Sequence, residues 1–197
     1  GDVYKRQDKI LMQENFLKEL EEQGKTSVKS NKDKINSLIE DSSKCISSND
    51  EIQNEVLELS KEQEKVTGAS QKLLKLNNLK GKITQKVSTI TKEHKFFSEN
   101  VTCPTCTQTI EESFRLNRID DVQSKAKDLN KGLKELEETI ESERERERLF
   151  NKLTKEITKL NNGISQNNTR ISGYQRQIRD LESEIQRITD QSKNRNT

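Results

Sequence analysis

The chain has 197 residues, of which 36% are charged and only 27% hydrophobic, with no Trp, one Pro and seven Gly. Such a composition excludes a sizeable globular core and leaves either a long helical element or a disordered chain. Acidic and basic residues nearly cancel at a formal +2 and are interspersed along the chain, as on the solvated face of a coiled coil, which argues against this segment being a main nucleic-acid grip.

No run of the sequence approaches the length of a membrane span and no signal peptide is visible, so a cytoplasmic location without membrane contact is expected. Three cysteines, two of them in one short motif, do not make a secreted disulfide framework.

The opening Gly1-Asp2-Val3-Tyr4-Lys5-Arg6-Gln7 lacks an initiator Met and breaks the helical pattern. Residues 1–9 therefore read as a scar or disordered start, and the chain as an internal fragment. From 10 to 101, apolar residues recur at spacings of three and four, the mark of an outgoing coiled-coil arm. The pattern weakens at Gly24-Lys25-Thr26-Ser27 and at Ser47-Ser48-Asn49-Asp50, and Ser48-Asn49-Asp50-Glu51 reads as a capping box restarting a helix. Gly24-Lys25-Thr26 resembles the end of a phosphate-binding loop, but Glu19 stands where that pattern requires Gly, and the context is helical.

Residues 102–109 form a knuckle. Pro104 pushes Cys103 out of helical geometry, so the outgoing helix must end at or before Thr102. Thr109-Ile110-Glu111-Glu112 matches a capping box that opens the returning arm, 110–190, with 191–197 as a frayed end. The returning seam includes Ile119, Val122, Ala126, Leu133, Leu136 and Ile140, then Leu153, Ile157, Leu160, Ile164, Ile171 and Tyr174.

Apolar residues of the two arms pair about a mirror point between Pro104 and Thr105: Ile90 with Ile119, Leu73 with Leu136, Ile52 with Ile157, Val28 with Leu181. In that register 47–50 faces 159–162, next to Gly163, so both strands lose helix propensity at one height, which reads either as a hinge or as plain solvated helix. The stretch 61–68 faces 141–148, with Gln63 and Glu143 where apolar knobs belong, and flexibility is expected there too. The fold class is accordingly all-α, a long antiparallel coiled-coil hairpin with a C-x-x-C knuckle at its tip. At ~1.5 Å per residue, roughly 90 residues of arm place that tip about 135 Å from the chain ends.

The spacing of Cys103 and Cys106 lets two sulfurs meet one tetrahedral Zn²⁺ at about 2.3 Å. A structural zinc wants four ligands. Cys45 lies far down the arm opposite Ile164, as a small core residue, and His94 falls on the seam as a packed or solvated residue rather than a ligand. The remaining two sulfurs are then expected from a second molecule, making a metal-dependent dimer with one Zn²⁺ shared between two chains. The competing chemistry for C-x-x-C is thiol–disulfide exchange, which usually needs a strand-to-helix scaffold. Phe96, Phe97 and Phe114 sit close to the cysteines, where they cap the coil end or pad a contact between tips. No catalytic constellation and no cofactor-binding motif emerges.

The C-P-x-C knuckle, Cys103-Pro104-Thr105-Cys106-Thr107-Gln108-Thr109-Ile110 followed by Glu111-Glu112, between two long arms resembles the zinc hook of SbcC-type DNA double-strand-break repair ATPases. It looks closest to the large subunit of the tailed-phage recombination endonuclease. The resemblance covers about ten residues in motif, and the rest only as coiled coil. It implies an ABC-type head, outside this chain, that binds ATP and Mg²⁺ and makes the main DNA contacts, together with a partner nuclease subunit. It carries a metal role onto Cys103 and Cys106 alone, so the segment itself is not an enzyme. The alternative is a purely structural coiled-coil spacer without metal.

Overall fold

The computed structural model describes residues 1–196; Thr197, the last of the segment expected to fray, lies outside the described residues. Three α-helices account for nearly all of it: α1, Asp2–Lys65; α2, Ala69–Glu99; and α3, Glu112–Arg195. They contain 64, 31 and 84 residues. The all-α, coiled-coil-like class follows from the composition: a chain this polar can bury only a narrow apolar seam, and helices present one. No helix among the described residues is long and apolar enough to cross a membrane. The chain divides into two units, Gly1–Glu58 with the chain from Ile157 onward, and Leu59–Glu156.

In the unit Leu59–Glu156, α2 lies beside the first half of α3. The best-buried residues are Ala69, Val122, Ile140 and Leu153, with Val66, Leu73 and Leu136 close behind. Leu73, Leu136 and Ile140 form one cluster against which Leu76 and Ile83 pack. Arg118 pairs with Glu93, and Lys80 with Glu137 at 3.7 Å, both at the half-exposed margin of the seam.

The outgoing arm is interrupted where a single helix was expected. α1 stops at Lys65, and tight bonds from the Val66 and Thr67 amides to the Gln63 and Glu64 carbonyls close its last turn. Gly68, at φ 84°, then starts α2. Only glycine enters that left-handed region without steric cost. Arg146 of α3 donates to the freed Lys65 carbonyl at 2.9 Å and to the Glu143 carboxylate at 2.9 and 3.1 Å. The Glu143 side chain retains only 12% exposure. Gln63, the other polar residue at an expected knob position, donates to Thr154 Oγ1 at 2.5 Å. The height expected to be flexible for want of core is thus a built break, flanked by Val66, Ala69, Ile140 and Leu153 and sealed by side chains that bring their own partners.

In the other unit, α1 pairs with the second half of α3. The helices run unbroken through 47–50 and 159–163, so the helix restart expected at Ser48 is absent and the plain helix reading holds there. Ser48 and Asn49 instead turn across the seam: the Asn167 side-chain amide donates to Ser48 Oγ at 3.3 Å and to Asn49 Oδ1 at 2.9 Å, and Asn49 donates to Asn168 at 3.0 Å. Mirror pairing had placed Asn49 opposite Leu160. The register is therefore shifted by one heptad, and other contacts agree. Ile52 meets Gly163, 3.6 Å from a Cβ placed there, rather than Ile157, and Arg195, one heptad beyond Ile188, the mirror partner of Glu21, reaches Glu21. A seven-residue slip leaves apolar facing apolar, so the pattern of apolar residues alone could not separate the two registers.

The start, which reads over 1–9 as a scar or a disordered segment, is helical from Asp2, with Val3, Tyr4, Ile10 and Leu11 exposed. Residues expected to fray after 190 are likewise helical as far as Arg195. Arg195 and Ser192 reach Glu21 at 3.5 and 2.5 Å.

Candidate metal centre at the Cys103 and Cys106 knuckle

Between α2 and α3 the backbone at 100–111 is extended or turned. Asn100 ends α2 in β geometry, its amide and its side-chain nitrogen both bonding the Phe96 carbonyl at 3.1 and 2.8 Å. Arg115 adds a cation at that helix end by donating to the Phe97 carbonyl at 3.1 Å, where the helix dipole favours positive charge. The chain then reverses through an antiparallel bridge between Thr102 and Thr109. Bonds from Ile110 N to Val101 O and from Cys103 N to Gln108 O, both 2.8 Å, flank that bridge. Its midpoint falls between Thr105 and Cys106, one residue beyond the midpoint read from the apolar pattern.

Glu111, not Thr109, precedes the returning helix. Its carbonyl accepts the first helical bond, from Arg115 N at 2.9 Å, and its carboxylate accepts from Ser113 at 2.8 Å. The capping box expected at Thr109 fails because Thr109 and Ile110 are already committed to the bridge.

Inside this ladder sits the turn Pro104-Thr105-Cys106, closed by Thr107 N bonding to Cys103 O at 2.9 Å. Thr107 takes φ 61°, an uncommon conformation for a β-branched residue. The turn aims its donors at one sulfur. The backbone amides of Cys106 and Thr105, then the Cys106 thiol, lower the Cys103 thiol pKa from its ordinary value; desolvation opposes them, and the Thr105 side chain adds a lesser lowering. Both cysteines carry free thiols, Cys106 exposed and Cys103 half-exposed.

Chemically, this is a thiolate-stabilising cradle with a second sulfur within hydrogen-bond reach. Amides that bond a sulfur offset charge on it whether it binds a soft cation or attacks another sulfur. The donor set fits half of a tetrahedral thiolate site. Among the described residues no group of three or more His, Cys, Asp or Glu side chains comes together to hold an ion. The structure does not bring Cys45 or His94 into the knuckle. His94 bonds Gln123 at 3.1 Å and Ser98 at 3.4 Å along the helices, and Cys45 is half-buried in α1.

The cradling amides were invisible to sequence reasoning, since a backbone donor has no residue signature. The αL position at Thr107 carried no Gly or Asn to announce it. Asn100, a residue type common at helix ends, was a readable signal for the stop of α2. Phe96 and Phe97 meet edge-on at 5.1 Å, and Phe97 and Phe114 at 6.0 Å, with Phe114 left 53% exposed. Comparison of the chain with protein-family models, with curated proteins and with solved structures finds no match.

Proposed function

We propose that this chain is the arm of an SbcC-type DNA repair and recombination ATPase, a long antiparallel coiled-coil hairpin whose knuckle joins a second copy through one shared Zn²⁺. The observation that carries the reading is the convergence of Cys103 and Cys106 inside a turn whose amides favour the thiolate, where the chain reverses between α2 and α3. Two thiolates are half of what a structural zinc takes, and a facing knuckle supplies the other half. When bound, the ion supplies a rigid, closed-shell crosslink and no redox chemistry. The residues of this chain hold it, and the helices set how far from other domains it acts.

In this reading the segment performs no catalysis. ATP and Mg²⁺ belong to a head domain outside this sequence, DNA is contacted mainly there, and a nuclease subunit binds nearby. The arm tethers two such complexes, or two DNA ends, in the cytoplasm of a bacterial cell, with a phage-encoded origin included in the proposal. The test is the double variant Cys103→Ser, Cys106→Ser, compared with the parent chain by sedimentation equilibrium and circular dichroism. Loss of zinc-dependent association with helicity unchanged supports the proposal. Association that survives the substitutions contradicts it and favours a spacer that dimerises through its helices.

A further inference from the structure

We infer that Ser48, Asn49, Asn167 and Asn168 form a register lock, a polar layer that selects one of two otherwise equivalent alignments of α1 against the second half of α3. The inference is independent of any metal at the knuckle. Its starting point is a degeneracy in the seam. In the mirror alignment Val28, Ile35, Leu38 and Ile52 face Leu181, Tyr174, Ile171 and Ile157. One heptad along, the same four face Ile188, Leu181, Ile178 and Ile164. Both sets are apolar throughout, so burial of the seam does not discriminate between them.

The polar layer does discriminate. Asn167 is the one buried polar residue among the described residues. In the observed alignment its amide is spent on Asn49 Oδ1 and Ser48 Oγ, and the Asn49 amide is spent on Asn168 Oδ1. Slipping back to the mirror alignment sets Asn49 against Leu160 and Asn167 against Ser42, so the Asn49–Asn167 bond is lost and the Asn49 amide is left against an aliphatic side chain. Asn49 is half-buried and Asn167 would face a hydroxyl, so the slip costs chiefly the bonds it breaks. The layer therefore works by favouring the alignment in which its bonds form, as a single polar core position specifies register in other coiled coils. The two alignments differ by a slide of about 10 Å along the helix pair, from seven residues at ~1.5 Å each.

The native Cys45 reports the alignment, because it faces Ile171 in the observed register and Ile164 in the mirror one. In full-length chain carrying Cys103→Ser and Cys106→Ser, Ile171→Cys and Ile164→Cys are introduced separately, and disulfide formation with Cys45 is scored under mild oxidation, since only close Cα pairs can bridge. With the asparagines intact, the 45–171 bridge is expected and the 45–164 bridge is not. With Asn49→Leu and Asn167→Leu, the 45–164 bridge should appear at comparable yield. A transplant, Leu160→Asn with Asn167→Leu, gives Asn49 its partner in the mirror register and should move the crosslink to 45–164. The inference is overturned if the 45–164 bridge forms while the asparagines are intact, or if the transplant leaves the crosslink at 45–171.

Discussion

Arg146 on α3 donates to the main-chain carbonyl of Lys65 at 2.9 Å, at the residue where α1 stops. A helix end leaves carbonyls without partners, and a cation placed on one both satisfies it and complements the helix dipole. Its companion Glu143 is largely covered and would lose its partner as well. Arg146→Ala is therefore expected to destabilise the chain by about 1–3 kcal/mol, read from urea denaturation followed by circular dichroism. Arg148→Ala serves as the comparison: its side chain is 70% exposed and pairs with Glu141 only at 3.8 Å. That change should stay within about 0.5 kcal/mol.

Glycines at three positions should respond with opposite signs. Gly68 has φ 84° with nothing within 4 Å of an added Cβ, so the cost of Gly68→Ala is purely conformational, about 1–2 kcal/mol. Gly81 and Gly132 lie inside α2 and α3 with equally open surroundings. Alanine there should stabilise by about 0.5–1 kcal/mol each, through helix propensity alone. Thermal melts of the three single variants check the ordering.

The all-helical class and the extended, turned geometry at Cys103 were legible from the sequence because each rests on a local rule: three-four periodicity for the arms and proline geometry for the knuckle. What was not legible depended on choices between near-equal alternatives. The register differs by a heptad because Ile52 can face Ile157 or Ile164 with similar burial, and polar contacts across the seam, those of Asn49 with Asn167 and of Glu21 with Arg195, separate the cases. The helix restart expected at Ser48 does not form, since Ser48 and Asn49 spend their side chains across the seam instead of capping a new helix. The true break at Gly68 went unread because Thr67-Gly68 lay within a stretch judged merely short of core. Its stabilising partner, Arg146, comes from about 80 residues away in sequence.

The amides of Cys106 and Thr105 that favour the Cys103 thiolate give the knuckle a pH dependence. A thiol held below its ordinary range binds fewer protons folded than unfolded, so the stability it contributes is full above the ordinary thiol pKa. That contribution is lost as pH falls through the lowered folded value. In the presence of a chelator, Cys103 should reach half-maximal alkylation by iodoacetamide at a lower pH in the folded chain than in the same chain unfolded in urea, as mapped by mass spectrometry. Coincident profiles would show that the turn does not stabilise the thiolate. Metal affinity should fall with acidification over the same range, because the ligand form is the thiolate.

The proposal that two knuckles share one ion is tested most directly by metal stoichiometry. Reduced, purified chain equilibrated with Zn²⁺ and freed of excess metal is analysed for zinc and protein, and its mass is taken with and without a chelator. Two sulfurs per chain predict about half a zinc per chain in a dimer that the chelator dissolves. One zinc per chain in a monomer, no zinc at all, or a dimer indifferent to the chelator would each contradict the shared site.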